Sequence, residues 1–260
     1  MNKRGEIMKA HFLTDRGLVR THNEDSGGIF YNTSGQFLAV IADGMGGHQA
    51  GDVASQMATS LLEEKWEQSG KLHTPEATET WISNVMIEIN ASIFQHAQEN
   101  EECHGMGTTI VVAIVIGDFM TIAHIGDSRC YFYTEEGLKQ VTEDHSLVNA
   151  LVQSGQISKD DAISHPRKNV VLRALGTEEE IDSDVKTLGL EEDDKLLLCT
   201  DGLTDKVLDE ELFELMQTTD GLYEAGEKMI ALANERGGED NISLILFQYT
   251  AAEEEGEWLC

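Results

Sequence analysis

Positive charge is what this chain has least of. Its 260 residues carry 18 Lys and Arg against 48 Asp and Glu, a formal net charge of −30. A field of that sign repels the phosphate backbone of nucleic acid and an anionic lipid leaflet, so neither is expected as a partner. Proline is nearly missing, with 2 residues, and aromatics make up 6% of the chain, which excludes a proline-rich scaffold. The 4 cysteines, Cys103, Cys130, Cys199 and Cys260, show no C-x-x-C pair and no spacing of a disulfide framework. Cys130 and Cys199 stand inside apolar runs, as small core residues do. Long apolar runs are missing too. The longest, Ile110 to Ile116, is far short of a membrane span, and no apolar segment follows the charged N-terminus as it would in a secretory leader. The expectation is a protein of a reducing cytoplasm, away from the membrane.

What is present is an ordinary globular core. Hydrophobic residues are 40% of the chain, enough to bury a sizeable interior. There is no repeat, no low-complexity tract and no linker-like stretch before the end, so one domain is expected over residues 1–250. The acidic tail from Ala251 to Cys260 follows it.

Short apolar runs predict strands at Phe37 to Ala42, Thr109 to Ile116, Met120 to Ile125, Cys130 to Thr134, Lys195 to Thr200 and Ile242 to Tyr249. Helical stripes lie between them. Val53, Met57 and Leu61, with Ala54, Ala58 and Leu62, recur at i, i+4, i+8 after Gly51. Thr74-Pro75-Glu76 reads as a cap, a first-turn proline and an acidic first turn, opening a long helix with Ile82, Val85, Met86, Ile89 and Ile93 on one face. Two more helices, Asp209 to Gln217 and Leu222 to Glu235, precede the last strand. The stretch Asp144 to Thr177 is polar, with a short helix around Leu147 to Ser154 and then a loop. Strands cluster in groups and do not alternate strictly with helices, which favours an antiparallel α+β arrangement.

The chemistry shows in how the strands end. Asp43-Gly44 and Asp201-Gly202 close two apolar runs, Gly126-Asp127 closes a third, and Gly237-Gly238-Glu239-Asp240-Asn241 leads into a fourth. Any single Asp-Gly is a turn. Four at strand ends place carboxylates together at a sheet rim, where they would repel one another and take up protons unless cations sat between them. Oxygen ligands without a His/Cys cluster favour magnesium or manganese over zinc. Glu24 and Asp25 add two adjacent carboxylates, and Arg20 adds a planar fork suited to a phosphoryl group. Competing motifs fail. Gly46 to Asp52 imitates half of a P-loop, but Asp52 stands where the lysine must be. No cysteine is followed six residues later by arginine, and Gly126-Asp127-Ser128-Arg129-Cys130 lacks the last glycine of a nucleophile elbow. Metal-assisted hydrolysis with water as nucleophile survives.

These residues resemble the ordered motifs of the metal-dependent protein phosphatases, the type 2C serine/threonine phosphatases, in their bacterial form. Thr14 to Asp25 is similar to the opening motif and Asp43-Gly-Met-Gly-Gly-His48-Gln-Ala-Gly51 to the second. His124 to Arg129, Glu143 to Ser146, Leu172 to Gly176, Cys199 to Leu203 and Asp240 to Ser243 follow in the family's order, so the likeness covers about Phe12 to Phe247. It implies a central sandwich of two antiparallel β-sheets with α-helices on both outer faces, and a flap subdomain at about 144–177. It also implies a binuclear site at one end, using manganese or magnesium. Asp43 would bridge two metals, the Gly44 carbonyl would bind one of them, and Asp201 and Asp240 the other. Glu24 and Asp25 would act through metal-bound waters, and Asp127 with Asp201 would take a third ion. Arg20 would hold the substrate phosphate. The implied reaction is direct attack on phosphoserine or phosphothreonine by a water bridging the metals. The implied partners are phosphoproteins, among them a Ser/Thr protein kinase and its substrates, and the enzyme is expected as a monomer. Met45 stands where eukaryotic relatives carry a histidine proposed to protonate the leaving alcohol. His48, a metal-bound water or solvent is left for that role, and His48 could equally touch substrate or cap the following helix. A phosphatase of small esters and a catalytically dead metal-binding regulator are the rival readings.

Overall fold

The computed structural model describes residues 8–46, 50–134 and 137–250. Strands β1 (Met8–Asp15), β2 (Asp25–Tyr31) and β3 (Phe37–Met45) open the fold, and helices α1 (Ala50–Glu67) and α2 (Pro75–Glu99) follow. A run of strands comes next: β4 (Gly107–Thr108), β5 (Ile110–Ile116), β6 (Phe119–Ile125), β7 (Arg129–Thr134) and β8 (Gly137–Gln140). The flap segment carries α3 (Leu147–Gln153) and α4 (Lys159–Ile163). The chain then runs through β9 (Asp184–Gly189), β10 (Lys195–Cys199), α5 (Asp201–Thr204), α6 (Asp209–Thr218), α7 (Leu222–Glu235) and β11 (Ile242–Tyr249).

Two antiparallel sheets result. One has the order β1-β11-β10-β7-β8, the other β2-β3-β5-β6-β9 with β4 paired to β3. The alternation of side chains along a strand builds three apolar layers from them. Leu38 and Val40 of β3, with Ile110, Val112 and Ile114 of β5, face α1 and α2. Their neighbours Phe37, Ala39, Ile41, Val111, Ala113 and Val115 face the other sheet, where Leu196, Leu198, Ile245 and Phe247 meet them. The opposite faces of β10 and β11, through Leu197, Cys199, Leu244 and Leu246, pack under Leu203, Leu212 and Met229 of α5, α6 and α7. Strands buried on both faces have no polar side to show, so they read as continuous apolar runs. The architecture is helix, sheet, sheet, helix.

Helix α2 starts where its cap says. Thr74 Oγ1 accepts from the Ala77 N–H at 3.3 Å and Pro75 occupies the first turn. Trp66 of α1 meets Trp81 of α2 edge-on, with ring centroids 5.1 Å apart. Within the flap, Ser146 caps α3. The segment after Ser154, expected as loop, contains α4, opened by a capping box between Ser158 and Asp161.

The strands that sequence periodicity did not predict are β1, β2, β8 and β9 (and two-residue β4). Those four lie at the edges of the two sheets. An edge strand is half-solvated and carries polar or small residues, as in Asp25-Ser-Gly-Gly28 of β2, so its apolar signal is diluted.

Candidate active site

The antiparallel register brings chain segments far apart in sequence to one end of the sandwich. Asp25 opens β2 and is the cross-strand partner of Asp43 near the end of β3. The Asp43 backbone is held there from two sides: its N–H donates to Thr109 Oγ1 at 3.0 Å, and its carbonyl accepts from the Thr109 N–H at 2.9 Å. Thr109 Oγ1 also lies 2.7 Å from Ser128 Oγ, which ties the turn bearing Asp127 to the same point. In the other sheet, Asp201 opens α5 immediately after β10, and Asp240 precedes β11. Gly202 permits that approach, since a Cβ there would lie 1.9 Å from the Asn241 carbonyl oxygen. The Asp201 and Asp43 carboxyls come within hydrogen-bonding reach of each other.

Asn241 is the hinge pin of the arrangement, and the sequence reading gave it no site role. Its Oδ1 accepts from the Glu24 N–H at 2.8 Å, and its Nδ2 donates to the carbonyls of Arg16 at 2.8 Å and His22 at 3.0 Å. One amide thus fixes the loop that delivers Arg20, Glu24 and Asp25. Thr200 and Ser243 do a related job, with hydroxyls bonded to the Asp25 carboxylate. The signal available in the sequence was small: a polar Thr or Ser at the site end of an apolar strand.

Gly44 needs its missing side chain. A Cβ there would lie 2.0 Å from the Gly51 carbonyl oxygen, so the end of β3 and the start of α1 touch backbone to backbone. The Gly44 N–H donates to the Glu24 carbonyl at 3.1 Å. Arg20 leans over the cluster from the exposed side, 2.8 Å from Asp240 Oδ2 and 3.5 Å from Glu24 Oε2. Its side chain keeps 45% of its surface open to solvent.

The electrostatics are those of acids without enough counter-charge. Burial, then the neighbouring carboxylates, pushes Asp25 up to about 7, Asp127 up to about 8 and Asp201 up to about 6. Asp43 is raised well above the usual carboxylate range by burial and by Asp25, Asp201, Asp127 and Asp240. Glu24 is raised by burial, with Asp52 and Asp240 adding to it against the opposing pull of Arg20. The carboxylate oxygens Asp25 Oδ1, Asp201 Oδ1 and Asp52 Oδ1 are buried without a hydrogen-bond partner. Buried acceptors of this kind, all oxygen and mutually repelling, are the donor set that hard divalent cations such as magnesium and manganese take. The residues present fit such ions.

The structure therefore gathers Arg20, Glu24, Asp25, Asp43, Gly44, Asp127, Asp201 and Asp240. His48 lies outside the described residues. Arg129 and Arg173 pair with Asp144 at 2.7 Å and Asp184 at 3.3 Å. His124, His145 and Asp184 form a second group with ligand atoms within 4.8 Å of one another. The Arg173 guanidinium already stands inside that group, 2.9 Å from His145 Nε2.

Comparison with known proteins bears on the chain as a whole. A family model described as Protein phosphatase 2C matches residues 19–243. The chain is 46% identical over 241 residues to the serine/threonine phosphatase stp of Listeria monocytogenes, covering 93% of this chain and 96% of that protein. It is similar to the crystal structure of the serine/threonine phosphatase Stp1 from Staphylococcus aureus, with a TM-score of 0.90, 39% identity, and 96% and 100% of the two chains covered. It is also similar to the catalytic domain of the phosphatase PstP solved with 2 manganese ions, with a TM-score of 0.82, 31% identity, and 94% and 98% covered.

Proposed function

The chain belongs to the protein phosphatase 2C family, and from that premise we propose how its rim of carboxylates works. The protein is a metal-dependent serine/threonine phosphatase, and its cofactors are two divalent cations. When bound, the cations make water a nucleophile at neutral pH and stabilise the phosphoryl group under attack. Asp43, Asp201, Asp240 and the Gly44 carbonyl would hold them. Glu24 and Asp25 contribute through water, and Asp127 with Asp201 offers a third position. The observation that carries this reading is the convergence of Asp25, Asp43, Asp201 and Asp240 from four distant segments, with two of their buried oxygens unpartnered.

Arg20 supplies the phosphate fork. Its pairing with Glu24 and Asp240 holds the guanidinium at the mouth of the cluster, and its exposed side meets the incoming phosphate. Asn241, Thr200 and Ser243 fix the carboxylates that surround it, so little reorganisation is needed when charge develops on phosphorus.

Phosphoproteins are the substrates, and within that class the reading extends to phosphoserine and phosphothreonine proteins that a Ser/Thr kinase modifies. Residues 1–250 form one phosphatase unit with the flap at about 144–177, acting as a monomer in the cytoplasm. No helix among the described residues is long and apolar enough to cross a membrane. Rates on a phosphothreonine peptide against a sugar phosphate, each with manganese and with excess chelator, test the reading. Fast, chelator-sensitive release from the peptide is expected. Activity that persists in chelator overturns the two-cation assignment, and faster release from the sugar phosphate overturns the substrate class.

A further inference from the structure

Two exposed apolar side chains stand immediately before Arg20. Leu18 keeps 66% of its surface open to solvent and Val19 63%, and neither joins the three apolar layers of the core. Single exposed hydrophobic residues are ordinary on a protein surface. Among the described residues, these are the only two large exposed ones that are neighbours in sequence. They are also held still. The Leu18 and Val19 N–H groups both donate to the Gly238 carbonyl, at 2.8 and 3.2 Å. Gly17, at a φ of 77°, lets the loop lie flat on the segment leading to β11, since a Cβ there would fall 2.1 Å from the Asp240 carbonyl oxygen. The Leu18 side chain rests over Gly238, where a Cβ would lie 3.1 Å from its Cγ. At the base of the loop, Asp15 Oδ1 accepts from the Gly17 N–H at 2.8 Å and from Asn234 Nδ2 at 3.0 Å.

An apolar pair fixed in this way loses little freedom when a ligand covers it, so its burial goes into binding. It adjoins the guanidinium that meets the phosphate, and charged groups bound it: Glu24 and Asp240 beside Arg20, and Glu239 paired with Lys206 after Gly238. An extended substrate chain advances about 3.3–3.6 Å per residue and sends alternate side chains to opposite faces. With the phosphorylated side chain directed at Arg20, the residues two positions away face the enzyme as well. They lie about 7 Å along the chain, and the α-carbons of Leu18 and Arg20, also two residues apart, are separated by no more than that.

We propose that Leu18 and Val19 are specificity-determining residues: they form an apolar ledge beside the phosphate fork, and the enzyme favours phosphosites with a large apolar side chain two positions from the phosphorylated residue. The occupant of the ledge is the substrate chain itself. A site with serine or glycine at that position leaves the ledge wet and gains nothing from it. The inference rests on the reading of Arg20 as the phosphate fork.

Phosphothreonine peptides on a Gly-Ser host test it, with leucine or serine placed two positions before or two positions after the phosphothreonine. The manganese-loaded protein is expected to show about tenfold higher kcat/KM for leucine over serine at one of these positions, the scale of one partly covered apolar side chain. Leu18→Ser combined with Val19→Ser should bring that ratio close to one. Leu18→Met combined with Val19→Ile keeps the ledge apolar and should retain the ratio. Equal rates for the leucine and serine peptides at both positions overturn the proposal, and so does a preference that survives the double serine variant. Loss of the ratio in the Met/Ile variant as well would show that the loop, and not its apolar surface, carries the preference, and would overturn it too. Arg20→Ala should lower kcat/KM for every peptide by one factor and leave the leucine-to-serine ratio intact. If it leaves every rate unchanged, the phosphate-fork reading falls and the ledge falls with it.

Discussion

Asp25 and Asp43 are direct register partners on adjacent antiparallel strands, two acids opposed where like charges repel. The fold holds them there with the Thr200 and Ser243 hydroxyls on one carboxylate and backbone bonds to Thr109 around the other. Asp25→Asn is therefore expected to stabilise the metal-free protein by about 1 kcal/mol, the scale of an opposed pair. The same change should weaken manganese binding. Thermal unfolding with and without manganese checks both, and a metal-free protein that loses stability on this substitution contradicts the account.

The raised acids give stability a direction with pH. Asp25, Asp127 and Asp201 titrate at about 7, 8 and 6 in the native protein, above their ordinary 3.8. Between those limits the folded chain binds more protons than the unfolded one. Their contribution is fully present below the ordinary value and is lost as pH rises through about 6 to 8. In chelator, Tm is expected to fall by about 5 °C or more from pH 5 to 8.5. Saturating manganese should remove that slope, because the cations favour the ionised carboxylates. A chelated sample whose Tm climbs over the same interval would count against the cluster.

Arg20→Ala should raise KM for a phosphothreonine peptide by about 10- to 100-fold, the scale of one or two charge-assisted hydrogen bonds. Inhibition by inorganic phosphate should weaken in parallel. Steady-state kinetics decide it: an unchanged KM removes Arg20 from phosphate binding.

Asn241→Ala leaves the Glu24 N–H and the carbonyls of Arg16 and His22 without their partner. A cost of about 2–4 kcal/mol is expected from urea unfolding, since part-buried backbone groups lose their bonds. Asn241→Asp keeps the bond to Glu24 and turns an acceptor toward the other two, so it should recover little. Near-neutral stability in both variants would show that the loop is held by other contacts.

The sequence made the interior of the fold readable and left its borders obscure. The interior strands β3, β5, β6, β10 and β11 announce themselves because burial on both faces favours long apolar runs, and β7 does so through the shorter run Cys130 to Tyr133. The edge strands β1, β2, β8 and β9 do not, because half-solvated residues such as Gly27 and Gly28 carry little pattern. Asp43, Asp127 and Asp201 were legible as acids beside glycine closing those same runs, and Asp240 as the acid leading into one. Their supports were not. Asn241, Thr200 and Thr109 act on backbone groups and carboxylates brought near by register, and no local spacing encodes that meeting. His145 stands in the sequence only as one polar residue of the Glu143 to Ser146 motif. Its bond to Gly126, nineteen positions away, emerges only once β6 and the flap are folded together.

Strand β11, inserted between β1 and β10, also decides when activity can begin. Asp240 and Asn241 lie just ahead of it, and β1 pairs with it along its whole length. A nascent chain with β11 still in the exit tunnel has neither the Asp240 carboxylate nor the amide that seats the first loop. Catalysis therefore starts only after β11 has emerged and paired, and no shorter nascent polypeptide can strip phosphate from its neighbours.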